Sequence, residues 1–495
     1  MKIIPQIDTY PRLVTFGESP LGKLVLLAGF AAALKIDGLH GWPELTLVTG
    51  ILSFLPKHRT ILTSLAAVLW LFLHNSWINW DFIGGLAETG HLNQRWILDI
   101  LVGSYLAAIF CGVALLFRYV RNRQGSFLAR RPVLVMVCGY FVILSVAGLV
   151  PLHGDLRTLI WLLIALLSPY LWYFAYALQD ARSKTADGFV AQFGAMRPFY
   201  NMVLVSSTPV GKGRAYLRKV ETKTSRELSV VQLKAVKLLV WIAVLQRLRH
   251  LLQVVLYGEF WKAPATVFHH FGLVLPNLHI PTLETAINLS ATGVQLPSGI
   301  AWASLIAHFV QAVLGLYVSG NVAVACCRMA GFYILRNTYR PLESQTIAEF
   351  WNRFYYYFKE LLVEFFFFPV YMRYFKKYPR LRKIAATMAA ATLGNMIYHF
   401  CRDFAYVHDL GLRAAVTGFQ VYAFYTFLLG LGICISQMRS RPAIPAGGIP
   451  WIRRLFSFTI VVGFFCLLDV FDYEPRAHTL GAHFAFFLNL FSFHR

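Results

Sequence analysis

The sequence predicts an all-α polytopic membrane protein, with about ten to twelve transmembrane helices and further re-entrant or interfacial helices. Three observations carry this. First, apolar residues make up 57% of the 495 residues and charged residues only 14%, whereas soluble domains average roughly 45–50% and about 25%. Second, the apolar residues come in blocks near the length of about 20 that a helix needs to cross a bilayer. Third, Lys and Arg collect between the blocks, in the pattern of loops held on the cytoplasmic side.

The blocks fall at 21–35, 43–55, 60–74, 97–117, 133–151, 159–177, 234–257, 265–280, 300–320, 322–335, 350–372, 384–404, 412–435, 455–471 and 480–493. Several are too short or too polar to cross alone. Spans in lipid must be helical, because an open strand edge leaves backbone groups unpaired. No cleavable signal peptide is expected, since the start through Ser19 is mixed and polar and no small-residue cleavage site follows Leu21.

The net charge of +23 follows from basic loops rather than from a nucleic-acid partner, and no nucleic acid is expected. The basic stretches 118–131, 179–234, 373–383 and 437–454 alternate with pairs of blocks, so all can face the cytoplasm. They also favour anionic lipid head groups. The chain therefore divides into N-terminal transmembrane helices (1–178), a cytoplasmic basic loop with surface helices (179–234) and a transmembrane core (235–495). Gly211-Lys212-Gly213 in that loop lacks the glycine spacing and Lys-Ser/Thr pair of a phosphate-binding loop. The seven cysteines fit neither a zinc site nor a disulfide framework, and no metal is expected. His269-His270, His74-Asn75, Asp81, Glu88 and His91 form no metal-ligand spacing either.

Function in such a protein concentrates where polar groups enter apolar blocks. Block 350–372 carries Asn352, Arg353, Lys359, Glu360 and Glu364 among many aromatics. On one helix, Arg353 and Glu360 share a face, Lys359 and Glu360 point apart, and Pro369 ends or kinks the helix. Two readings stay open: an amphipathic helix at the interface, or a helix that brings Asn352 and Arg353 to a buried site. Block 384–404 is small in its first half, which suits close helix packing. Asn395, His399 and Asp403 follow at spacings of four and share one face. From Lys383, His399 is about 24 Å along a straight helix. Such a histidine is either a structural group bonded across helices or a general base oriented by Asp403 or Asn395.

The segment from Asn321 to Phe404 resembles the membrane-bound O-acyltransferase family, above all its bacterial branch of alginate O-acetyltransferases and proteins that move D-alanine onto teichoic acids. The residues that carry the likeness are Cys327-Arg328-Met329-Ala330-Gly331-Phe332, Asn337-Thr338-Tyr339-Arg340-Pro341-Leu342-Glu343-Ser344, Glu349-Phe350-Trp351-Asn352-Arg353-Phe354-Tyr355, Phe367-Phe368-Pro369-Val370 and Gly394-Asn395-Met396-Ile397-Tyr398-His399. The resemblance covers roughly the last 200 residues. Tyr355 stands where the family has a histidine, and Ile397-Tyr398 and Phe400-Cys401 replace the small and Trp residues around the later one.

The resemblance implies acyl transfer within the membrane. A cytoplasmic thioester such as acyl-CoA would be the donor, with no bound cofactor. A hydroxyl, on a glycan or another extracytoplasmic acceptor that a partner protein delivers, would be the acceptor. His399 would act as base, and Asn352, Arg353 or Tyr355 would stabilise the oxyanion. The implied location is a bacterial cytoplasmic membrane. A transporter or flippase with His399 in its polar path, and a catalytically degenerate acyl-handling scaffold, remain the competing expectations.

Overall fold

The computed structural model describes residues 5–39, 41–73, 79–89, 94–150, 153–183, 187–196, 208–258, 277–439, 451–472 and 479–492. Most of block 265–280, together with His74, Asn75, His91, His269, His270 and Arg441, lies outside them. Seven helices among the described residues are long and apolar enough to cross a membrane: Arg95–Asn122, Pro132–Leu149, Gly154–Asp180, Ser225–Tyr257, Ser298–Met329, Gln420–Met438 and Trp451–Phe471. An eighth span results if the bent pair Pro11–Glu18 and Pro20–Ile36 is counted as one. The chain is thus a helical membrane protein. The expected block 300–320 and the first part of block 322–335 are one continuous helix, Ser298–Met329, because nothing between them breaks the pattern, and the rest of the second block, 330–335, is not helical. Block 412–435 is instead two helices, Ala405–Gly418 and Gln420–Met438.

Two compact units divide the chain. The first comprises Met1–Ala243, Ser319–Arg336 and Cys401–Arg413. Its first helices turn by 97° at Ser19-Pro20. Ser19 is extended, as a residue before proline must be, and its hydroxyl accepts from Gly22 N at 3.0 Å to cap the second helix. A side chain at Gly22 would strike the Phe16 carbonyl, so the tight turn needs glycine there. Gly154–Asp180 carries the centre of this unit, with 72% of its apolar window buried against 28% in Pro132–Leu149.

The insertion expected to lie on the surface is instead packed into the first unit. Helix Ser225–Tyr257 begins nine residues before 234, the expected boundary. Gln192 and Arg214 are buried. Gln192 donates to Asp180 Oδ2 (3.1 Å) and accepts from Arg214 N (3.1 Å), while Asp180 also accepts from Ala215 N (2.9 Å). Phe193 stacks on Phe110 at 4.9 Å. The insertion lacks aliphatic residues for a core of its own; its described part is held together by these internal polar bonds and packs on the rest of the unit through Phe193 on Phe110 and Arg214 Nη2 on Thr60 Oγ1.

The second unit comprises Val244–Val318, Asn337–Phe400 and Ala414–Arg495. The expected single helix over 350–372 is broken into Ile347–Phe354, Tyr356–Leu362, a π-helical turn Val363–Phe367 and Phe368–Arg373. Tyr355 has extended φ and sits at the first break, so Arg353 and Glu360 do not share a continuous helical face. Lys359 and Glu360, adjacent in sequence, form an ion pair; their long side chains bend back to one another. Pro369 does not end the helix. It follows directly on the π turn Val363–Phe367, and the helix runs on past it to Arg373.

Candidate functional site

The site builds on one antiparallel helix pair in the second unit. Helix Pro379–Met388 passes through a π turn, Ala389–Gly394, into helix Asn395–Arg402. Against it runs Gln420–Met438. Their register is set by polar rungs: Thr387 Oγ1 donates to Gln437 Oε1 at 3.1 Å, and Thr392 Oγ1 donates to the Thr426 carbonyl at 3.0 Å. Further along the pair, His399 lies against Tyr422. Small residues allow the approach. A Cβ on Gly430 would lie 2.5 Å from Thr392 Oγ1 and 3.0 Å from Met388 Sδ, and one on Gly394 would lie 2.6 Å from the Phe366 ring. Phe366 belongs to the other π turn, so the two irregular turns face each other. Turns of this kind concentrate at functional sites.

His399 is 7% exposed. Its ring stacks on Tyr422, with centroids 4.3 Å apart and planes at 23°, and meets Tyr398 edge-on at 5.9 Å. Asn395, one turn earlier, is fully buried. Neither its Oδ1 nor its Nδ2 has a hydrogen-bond partner among the described residues. An amide left so in a core costs about 1–3 kcal/mol, which is the mark of a group kept for something other than stability.

Asp403 does not continue this face. The helix ends at Arg402, and the Asp403 carboxylate receives both Nε (2.8 Å) and Nη2 (2.7 Å) of Arg402. Adjacent opposite charges past the last turn pair more readily than groups four apart.

The Trp351 segment reaches the site through aromatic contact. Trp351 and Tyr355 both meet Phe358, at 6.0 and 5.5 Å, and Phe358 meets Tyr398 at 4.6 Å. Asn352 itself is exposed, and the structure does not bring its amide into hydrogen-bond contact with His399. Arg353 is held by Glu349 (2.6 Å) and by the Arg340 carbonyl (3.3 Å). Glu349 also closes the start of the helix: its N–H donates to Thr346 Oγ1 (3.1 Å) and its Oε2 accepts from Gln345 N (2.9 Å), a reciprocal cap.

The break at Tyr355 leaves carbonyls and amides that a helix would have paired. The stretch Asn337–Arg340 satisfies them. Tyr339 N donates to the Arg353 carbonyl (2.8 Å) and Thr338 Oγ1 to the Phe354 carbonyl (2.6 Å). Tyr356 N and Tyr357 N donate to the Asn337 carbonyl (2.8 Å) and Oδ1 (3.3 Å). This explains why the Asn-Thr-Tyr-Arg-Pro run and the Glu-Phe-Trp-Asn-Arg run belong together.

Sequence reasoning missed Tyr422, Tyr398 and Phe358. The one signal for Tyr422 was its place in an aromatic-rich block whose register against block 384–404 cannot be read from spacing. No group of three or more His, Cys, Asp or Glu among the described residues could hold a metal ion. No model of a known protein family matches the chain, and no curated protein matches it.

Proposed function

We propose that the chain is a membrane-embedded O-acyltransferase in which His399 is the general base. The observation that carries this reading is the buried pair His399 and Asn395, one turn apart in an apolar helix pair. The resemblance over Asn321–Phe404 supports it. An ionisable group at that depth is costly and calls for a role, and imidazole titrates in the range suited to base work near neutral pH. His399 takes the proton of an acceptor hydroxyl. The oxygen attacks the carbonyl carbon of an acyl thioester, the C–S bond breaks, and the proton passes to the leaving thiolate. The Asn395 amide, whose N–H groups are uncommitted, donates to the developing oxyanion. Arg353, tied to Glu349, keeps the Tyr355 break in shape, and Asn352 meets substrate from the exposed side.

The same reading places ten to twelve crossings in a bacterial cytoplasmic membrane, the shorter helices included, with acyl-CoA on the basic face and a glycan hydroxyl opposite. The test compares wild type with His399→Gln and His399→Ala for yield, thermal stability and transfer from acyl-CoA to an extract of cell glycans. Loss of a general base lowers the rate about 10²–10⁴-fold in protein that still folds. Undiminished transfer by a folded variant rejects the base and favours the transport or scaffold reading.

A further inference from the structure

We propose that Arg249, in the second unit, is the seat of an anionic lipid whose phosphate-class head group is held within the membrane. Helix Ser225–Tyr257 has 33 residues. From Leu238, just past Lys237, to Tyr257 it is about 30 Å long, the thickness of the hydrocarbon core. Arg247, Arg249 and His250 fall in the second half of that stretch. Ionisable groups so placed are costly and call for a counter-charge or a polar path. Neither residues 238–257 nor the facing helix Ser298–Met329 contains an Asp or Glu. Among the described residues the Arg249 side chain makes no ion pair and no hydrogen bond.

The guanidinium does not turn toward the nearer end of the span. The two helices run antiparallel: Gln232 Nε2 donates to the Met329 carbonyl (3.1 Å) and Gln311 Nε2 to the Arg249 carbonyl (3.3 Å). Gln311 thus marks the level of the Arg249 backbone, and Gly315 lies one turn back from it, away from Tyr257. A Cβ on Gly315 would lie 3.3 Å from Arg249 Cζ and 3.5 Å from Nε and Nη2. The guanidinium therefore rests on bare backbone, further into the span than its own Cα. Its Nε is enclosed but neither Nη is, and the residue is partly exposed. The outer end of the fork is open.

The surroundings of that open end favour an amphiphile. Gln246 Nε2 meets His250 Nε2 at 2.9 Å; with the amide donating, the imidazole carries its proton on Nδ1. Arg247 adds a second positive charge on the same turn. Val240, Val244 and Leu248, four apart, are 45%, 51% and 41% exposed and form an apolar stripe beside Arg249. The two Nη groups take two phosphate oxygens side by side, and the lipid chain follows the stripe. A free ion would have to shed its water to enter, whereas a lipid brings its charge in on a chain that is at home in the bilayer. This site is independent of acyl transfer at His399.

The test uses the full chain in detergent, stripped of lipid and titrated with dioctanoyl phosphatidylglycerol, dioctanoylglycerol or inorganic phosphate. Thermal stability and bound phosphorus per chain are the readouts. Phosphatidylglycerol is expected to raise stability saturably, with about one phosphorus bound. The other two probes should bind at least about tenfold more weakly, since each lacks either the charge-assisted contact or the chain. Arg249→Gln removes an uncompensated charge, so without lipid it should melt at or above wild type, yet bind phosphatidylglycerol at least about tenfold more weakly. Gly315→Val keeps the charge but displaces the guanidinium and should also weaken binding. Arg380→Gln, exposed in a basic loop, is the control and should bind as wild type does. Undiminished binding by Arg249→Gln, equal loss in Arg380→Gln, or inorganic phosphate binding as well as the lipid overturns the proposal. If Arg249→Gln fails to fold, Gly315→Val decides.

Discussion

The imidazole of His399 and the phenol ring of Tyr422 lie face to face, 4.3 Å between centroids, each contributed by one member of an antiparallel helix pair. The stack fixes the plane of the imidazole. Tyr422→Phe keeps the ring and should leave stability and transfer near wild type. Tyr422→Ala removes a side chain that is 2% exposed and should cost about 3–5 kcal/mol, as other large aromatic deletions do. Denaturant midpoints together with transfer rates check both. Equal loss in the two variants would show that the hydroxyl, rather than the stack, matters.

Asn395→Ala separates a functional amide from a structural one. Removing a buried group with no partner should leave the melting temperature at or above that of wild type, while transfer falls about 10²–10³-fold, the usual effect of losing one oxyanion donor. A lower melting temperature with unchanged transfer would make Asn395 structural.

Gly394→Ala and Gly430→Ala each push a methyl into an occupied position, against the Phe366 ring and Thr392 Oγ1. Each should cost about 1–3 kcal/mol through overpacking. Leu393→Ala, at a side chain 58% exposed, is the control and should stay within about 0.5 kcal/mol in detergent unfolding.

Thr346→Ala removes the cap of the Trp351 helix and should cost about 1 kcal/mol, whereas Thr346→Ser should be nearly silent. Hydrogen exchange at Glu349 and Phe350 reads the change locally. Faster exchange confined to that turn is the expected result; unchanged exchange in Thr346→Ala counts against the cap.

Single cysteines at Ser183 and Arg380 should be shielded from membrane-impermeant thiol reagents in intact cells and labelled once cells are opened, as the Lys/Arg bias requires. External labelling of either position overturns the cytoplasmic assignment of these loops.

Block length and composition made the helical membrane class legible, because lipid permits few alternatives. Asn395 and His399 were legible as one polar face for the same reason: four residues apart within a regular helix, they stay together. Asp403 was not, since the helix stops at Arg402 and the carboxylate turns to the nearest cation. The break at Tyr355 was hidden because its repair lies elsewhere, in Asn337 and Thr338. The packing of 179–234 was hidden because Gln192 and Arg214 are polar residues whose partners are distant in sequence.

The two π turns, Val363–Phe367 and Ala389–Gly394, amount to one surplus residue in each of two touching helices. Each residue advances an α-helix by about 100°, so each surplus resets the phase of everything that follows. The small-residue stripe before Ala389 and the polar stripe after Gly394 are therefore out of step, and the helix can pack on one side and present its amide and imidazole on another. A deletion of Ala390 alone would restore an unbroken α-helix and swing Asn395 and His399 away from Tyr422 by that angle, with every side chain of the pair still present. Loss of transfer in that variant, with helix content intact, would locate the function in the phase of the helix as much as in its residues.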